Sequence, residues 1–451
     1  MSGRMMFAVF AGFFLAVGAL TSTWISLAQF DDPFCFGRHY LWGALDPGAL
    51  SFSDAVEFFS RSRIEHYAHP GVTMDLVAGS LIRGGYCVSR VFGGVGGYEK
   101  HVVEHRFFYF GLVSFLSTVL FLACCRPLFR ICRLVVPEPV ACVVCAVFLG
   151  SPFVLLFINR FSPEAYMLFF GLWCAALSLE AMASGAASST WMLAGAAAGL
   201  SLLSKPFMAP VAVLAVAVIL FFEPASGARR RFAHLGAFLL GLAVPLAALG
   251  WKIPLRPMCD YWVGQVVRNR GIGSFFEFFS LPHQAPLVPA EAAFGVMALL
   301  GIGFAFSSRA SIGPRRTVGL LAGLLGGLAA MVARRPDWHY LFGCWWLLAL
   351  FAVIGIDALM KFRGRADPVV LGALAMLTLN AWSYFPGIAA THNQYRIRFH
   401  ERLAVARSRP LTLPAPWEKR VGDSDLSEVW PVHSVRLEAA LEQMRREARG
   451  K

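Results

Sequence analysis

Apolar runs about 20 residues long recur along this chain, and that recurrence limits what it can fold into. A bilayer core about 30 Å thick is crossed by about 20 apolar residues in a helix. Inside hydrocarbon every backbone N–H and C=O must be paired internally, which leaves helices and closed barrels. The runs here have the length of helices. Of 451 residues 57% are hydrophobic and 15% charged, with a mean hydropathy of +0.60, far from a soluble domain. An all-α polytopic membrane protein follows, a bundle of about 11 transmembrane helices.

The formal net charge of +13 would suit nucleic acid if its distribution allowed it. Instead the basic residues gather in short loops: Arg126, Arg130 and Arg133; Arg229 to Arg231; Arg309, Arg315 and Arg316; Lys361, Arg363 and Arg365. Such clusters mark cytoplasmic loops by the positive-inside bias, so membrane lipid and not nucleic acid is the expected surrounding. Seven of the ten cysteines lie in or beside apolar segments, where cysteine acts as a small hydrophobe.

With Arg4 inside, the first span covers Met5 to Leu27 and a long outer loop follows, residues 30–106. Further spans are expected over Phe107–Cys125, Val140–Phe157 and Ala165–Met182. The stretch from Trp191 to Phe222 is too long for one span and is broken at Ser204-Lys205-Pro206, because proline disfavours helix in the residue before it. It is expected to form two short spans meeting at the outer face. Four more follow: Phe232–Trp251, Ala292–Phe306, Val318–Val332 and the segment before Lys361. An eleventh covers Pro368–Phe385. Within the outer loop Phe52–Ile64 is amphipathic, with Ser53 as N-cap and Asp54 and Glu57 in the first turn. Val72–Val91 has the spacing of a surface-lying helix. The tail, 388–451, carries an amphipathic helix around Leu437, Ala440, Leu441 and Met444.

Four polar groups fall on the outer face. Asp31 and Asp32 close the first span; carboxylates beside hydrocarbon are costly and carry function more often than chance, the competing reading being a helix stop. His69 stands at a Pro70-Gly71 turn, where it can donate to a phosphate or sugar or simply face water. Asn159, Arg160 and Glu164 precede the fourth span, and Glu164 also suits the first turn of a helix. Lys205 at the broken helix forms the fourth group with Arg335, His339 and Tyr340; an ammonium amid apolar residues needs a partner, a cavity or the interface. Lysine is an effective point-charge partner for phosphate. A carboxylate there can serve as general base or hold a hard divalent cation.

With these residues assembled, the chain resembles the GT-C superfamily of polytopic glycosyltransferases, in its protein mannosyltransferase, aminoarabinose transferase and Rgt-type branch. The resemblance runs from about Met5 to Asp357. Phe30-Asp31-Asp32-Pro33 is similar to the family's Asp-Glu motif, and Tyr67-Ala68-His69-Pro70-Gly71 to its His-Pro segment. Arg160-Phe161-Ser162-Pro163-Glu164 resembles its acidic segment. Gly199-Leu200-Ser201-Leu202-Leu203-Ser204-Lys205 matches its Gly-Leu-x-x-Leu-x-Lys stretch, and Arg335-Pro336-Asp337-Trp338-His339-Tyr340 its Arg-Pro-x-x-His-Tyr element. Asp32 replaces the usual glutamate and Gly71 a common proline.

The resemblance implies inverting transfer of a sugar from a polyprenyl-phosphate donor to a glycan, lipid or protein acceptor. Asp31 would be the base with Asp32 as fallback. Glu164 would assist, and a divalent cation (Mg or Mn) would sit at Asp32 or Glu164. His69, Arg160, Lys205, Arg335, His339 and Tyr340 would hold substrate. Residues 1–387 would form the transferase domain in a bacterial inner (plasma) membrane, with its site facing the periplasm. A transporter or flippase of lipid-linked sugars, or a non-catalytic assembly subunit, are the alternatives; the span centres mostly lack charges and no internal repeat is evident, which disfavours a transporter.

Overall fold

In the computed structural model the described residues are 3–27, 48–59, 71–93, 96–151, 154, 161, 163–185, 187–222, 227–252, 288–307, 312–334 and 342–362. Among them the fold is all-helical. The elements are α1 (Gly3–Leu27), α2 (Gly48–Glu57), α3 (Val72–Gly93), α4 (Tyr98–Glu104), α5 (Arg106–Arg133), α6 (Glu138–Leu149) and α7 (Glu164–Ser184). They continue as α8 (Ser188–Ser204), α9 (Ala209–Ala217), α10 (Ala228–Gly250), α11 (Val288–Ser307), α12 (Ile312–Arg334) and α13 (Phe342–Phe362). A 3₁₀ turn, Pro206–Met208, joins α8 to α9, and a π-turn, Val218–Phe222, extends α9.

Three stretches are long and apolar enough to cross a membrane by length and composition: Phe108–Arg133, Glu164–Ser184 and Ala228–Gly250. Shorter apolar helices accompany them, among them Glu138–Leu149, Pro206–Phe222 and Gly343–Ala358. The expected spans thus recur as helices, with shifts at the ends. The third is described as Glu138–Leu149, closed by Gly150, and the expected end at Phe157 lies outside the described residues. The eleventh span and the tail helix lie outside the described residues.

The outer loop departs further from expectation. The first of its helices runs Gly48–Glu57, so Ser53 is interior to it and Asp54 and Glu57 are near its end. Pro47 stands just before, a residue favoured at helix starts. Helix α3 matches the expected boundaries, yet its N-terminal half is buried, from Val72 to Asp75 and again at Ala78, Gly79, Ile82 and Tyr86. It packs on α2, where Gly79 faces the Ala55 carbonyl and Phe58.

Helices α8 and α10 run parallel and meet through glycine. A Cβ on Gly195 would strike the Phe238 backbone, one on Gly199 the Leu242 carbonyl and Pro245, and one on Gly241 the Met192 backbone. Gly195 and Gly199 are four apart and share a face, the small-xxx-small pattern that lets membrane helices approach backbone to backbone. Gly301 and Gly355 make the corresponding close approach between α11 and α13. At the end of α7 away from Glu164, Arg130 forks onto Glu180, tying α5 to α7, and stacks over Trp173 at 5.1 Å.

Overpacking at the glycine seam is expected to destabilise. Gly241→Leu should cost about 1–3 kcal/mol in thermal unfolding of the detergent-extracted protein. Gly236→Ala on the same helix, where an added Cβ meets no atom within 4 Å, should leave the midpoint unchanged or raise it.

Candidate active site

Lys205 follows the last residue of α8 with extended backbone, φ −165° and ψ 127°. Pro206 explains the break, since its ring excludes helical conformation from the residue before it. Two hydroxyls converge on one carbonyl of its last turns: Thr73 Oγ1 donates to Leu200 O at 2.8 Å and Ser204 Oγ to the same oxygen at 2.9 Å, while the Lys205 N–H goes to Ser201 O. Ser201 Oγ donates to Met167 O at 2.8 Å, which sets α8 antiparallel to α7 and level with its N-terminus.

That register brings Lys205 to Glu164, the first residue of α7. Nζ donates to Oε1 at 2.6 Å, and both residues are 1% exposed. Each charge also faces a helix end of opposite sign: the carboxylate sits at the positive N-terminus of α7, the ammonium at the negative C-terminus of α8. Desolvating two such ions costs several kcal/mol each, so the pair is weak evidence of a stability device.

More buried carboxylates gather at this end of the bundle. Asp54, Glu57 and Asp75 are 4%, 1% and 2% exposed. Burial, reinforced by the nearby Asp54 carboxylate, pushes the Asp75 carboxyl well above its usual range, and Asp75 also lies within electrostatic reach of Tyr166. Asp75 Oδ1 and the Tyr166 hydroxyl are buried without a hydrogen-bond partner. Beyond α10, Lys252 Nζ donates to Phe58 O at 2.6 Å, between the rings of Trp251 (4.3 Å) and Phe58 (5.1 Å). Burial lowers its pKa. A small apolar cluster of Phe58, Val72 and Leu203, with Leu76 and Leu249 against it, seals these helix ends together.

Of the residues singled out from sequence, the structure brings Glu164 and Lys205 together. Asp31, Asp32, His69, Arg160, Arg335, His339 and Tyr340 lie outside the described residues. Asp54, Glu57 and Asp75 were missed as site residues: the first two were expected in a solvated first turn, and α3 on a membrane surface. The available signal was composition, since Phe52, Ala55, Val56 and Phe58 flank the first two acids on both sides.

A helical membrane bundle is the architecture that the GT-C resemblance predicts; the direct pairing of Glu164 with Lys205 is an addition of the structure. Residues 102–251, about one third of the chain, match the family model described as dolichyl-phosphate-mannose-protein mannosyltransferase. The segment includes Glu164, Lys205 and α10. Over that segment the chain is similar to the mannosyltransferase family, a branch of the GT-C superfamily of membrane glycosyltransferases. No curated protein matches it.

Among solved structures, the archaeal oligosaccharyltransferase AglB from Archaeoglobus fulgidus, in complex with an inhibitory peptide and a dolichol-phosphate, is similar at 12% identity and a TM-score of 0.45. That alignment covers 85% of this chain and 56% of the other. The Archaeoglobus fulgidus oligosaccharyltransferase in complex with Zn and sulfate aligns at 13% identity and a TM-score of 0.40, covering 85% and 53%. This chain therefore spans about half the length of the solved chains it matches.

Two outcomes follow from the site. Removing one charge of the buried pair, by Glu164→Gln or Lys205→Met, should cost about 3–5 kcal/mol, while the double substitution should recover much of that loss; unfolding in detergent reads both. Because the folded Asp75 carboxyl holds its proton above the unfolded value, its contribution is most favourable at acid pH and is lost as pH rises through the raised folded value. Asp75→Asn should flatten that part of the stability–pH curve and stabilise the protein above it.

Proposed function

We propose that this chain is an inverting glycosyltransferase that moves a sugar from a polyprenyl-phosphate donor to an acceptor hydroxyl at the extracytoplasmic face. The observation that carries the reading is Lys205, buried at the helix break and paired with Glu164 at 2.6 Å. An ammonium preorganised at low dielectric is what a phosphate leaving group needs, because it stabilises charge as that charge develops. Glu164 holds Lys205 in place until the donor phosphate competes for it. Arg335, His339 and Tyr340 complete the phosphate subsite in this reading, and His69 and Arg160 bind sugar or acceptor.

In the transfer step the acceptor oxygen attacks the anomeric carbon on the face opposite the phosphate. Its proton passes to the Asp31 carboxylate, with Asp32 beside it, and the bond from the anomeric carbon to the phosphate oxygen breaks. The polyprenyl phosphate leaves with its electron pair, and the anomeric configuration inverts. Phosphate leaves readily as an anion, so the step assigns no acid to the leaving group.

Asp32 and Glu164 offer the hard oxygen donors that Mg or Mn takes, and would hold such an ion to screen the departing charge. Glu164 already gives Oε1 to Lys205, so sharing that oxygen is the condition for metal binding there, and no step is routed through the ion. Residues 1–387 constitute the transferase domain, with loop 30–106 as its outer cover, and 388–451 the tail. A bacterial inner membrane with a periplasmic site fits the basic inner loops.

Proteoliposomes loaded with a defined polyprenyl-phosphate sugar and an acceptor test the proposal. Wild type should transfer sugar. Asp31→Asn should slow transfer by about 10²–10⁴-fold, the range for loss of a general base, and Lys205→Met should weaken donor use. Full transfer by both Asp31→Asn and Asp32→Asn removes the base assignment. Movement of the lipid-linked sugar across the bilayer without transfer makes the chain a flippase.

A further inference from the structure

Away from the acid–lysine pair, the elbow between α4 and α5 carries a second cluster that the transfer reaction does not use. His101, Glu104 and His105 stand three and four residues apart, on one face of one turn. They can each present a ligand atom so that these atoms lie within 4.8 Å of one another. His101 is 4% exposed, whereas Glu104 and His105 face solvent.

The hydrogen bonds decide which atoms are available. His105 Nδ1 meets the His101 carbonyl at 3.0 Å. A carbonyl only accepts, so Nδ1 carries the proton and Nε2 of the neutral ring keeps its lone pair. His101 Nε2 meets the Tyr109 hydroxyl at 3.1 Å, while its Nδ1 is buried and has no hydrogen-bond partner. A buried ring nitrogen left without a partner is costly in a finished core. Each imidazole thus has one nitrogen anchored by an outer partner and one left over, the arrangement typical of metal-ligating histidine.

We infer that His101, Glu104 and His105 form a binding site for a divalent transition ion of the zinc class. Two imidazoles and one carboxylate are a donor set that zinc takes, with a fourth position left open, here on the solvent side. A tetrahedral ion with bonds of about 2.0–2.1 Å brings its ligands to within about 3.3–3.5 Å of one another, so binding draws the exposed Glu104 and His105 inward by a small side-chain adjustment.

The consequence is a staple. Helix α4 is fastened to α2 by Tyr98 hydroxyl donation to Val56 O at 2.9 Å, and to α3 through the Tyr86–Tyr98 ring contact at 5.2 Å. Tyr109, the partner of His101, belongs to the long helix α5. An ion at the elbow therefore stiffens the turn between α4 and α5, whose side chains Tyr98 and His101 already reach α2, α3 and α5.

The test uses the full chain purified in detergent without a polyhistidine tag, stripped with a chelator and titrated with Co²⁺ and then Zn²⁺. Wild type is expected to bind one Co²⁺ per chain with visible ligand-field bands, and Zn²⁺ should displace it and raise the melting temperature. His105→Ala and Glu104→Gln alter exposed side chains; each should melt like metal-free wild type yet bind Co²⁺ at least tenfold more weakly. Absence of Co²⁺ bands in wild type overturns the inference. So does equal Co²⁺ affinity in His105→Ala, or a Zn²⁺ shift that survives in it.

Discussion

The organisation of one end of the bundle depends on one interaction, the buried ion pair between Glu164 and Lys205. It joins residues 41 apart in sequence by placing the N-terminus of one helix against the C-terminus of the next. The two helix dipoles point the right way for both charges, so the pair is electrostatically consistent with its backbone. Around it Thr73 and Ser204 both donate to the Leu200 carbonyl, and Ser201 ties α8 to α7 through the Met167 carbonyl. What the pair does not supply is inexpensive stability, since apolar residues of similar volume would often serve as well. A charge kept where it is costly is therefore read as a charge kept for chemistry.

Among the described residues the buried charge around the pair is mostly acidic. Asp54, Glu57, Asp75 and Glu164 are all buried, against Lys205 and Lys252. Burial first, and the neighbouring Asp54 carboxylate second, push the Asp75 carboxyl well above its usual range. The lysines divide the work: Lys205 meets a carboxylate, whereas Lys252 caps the chain after α2 through the Phe58 carbonyl. Outer-loop helices and membrane helices are thus joined by polar contacts as well as by the apolar cluster of Phe58, Val72 and Leu203.

Much of the membrane fold was legible in the sequence because bilayer thickness imposes a length on each apolar run. The break at Lys205 was legible for a local reason: Pro206 disfavours helix at its neighbour, and the apolar stretch is too long for one span. Glu164 and Lys205 could each be singled out, but their direct pairing depends on the antiparallel register of α7 and α8, which side-chain hydroxyls set. The buried acids of α2 and α3 were misread for a related reason. Local rules place Asp54 and Glu57 in a solvated first turn, whereas the tertiary fold begins that helix earlier and turns its end inward. Nothing in the 3.6-residue pattern of α3 distinguishes a membrane surface from the ends of other helices as the thing it lies upon.

The glycine seam between α8 and α10 has a mechanical meaning. Where two backbones touch without side chains between them, little room is left for sliding or rotation, so the pair moves as a single rod. That rod carries Lys205 at the end of one helix and Lys252 just past the end of the other, and holds both cations at a set spacing. Lys205 meets Glu164 of α7 at one end of that rod, and the apolar cluster of Phe58, Val72 and Leu203 packs where Lys252 reaches the Phe58 carbonyl, so both cations are held from the side as well as from below.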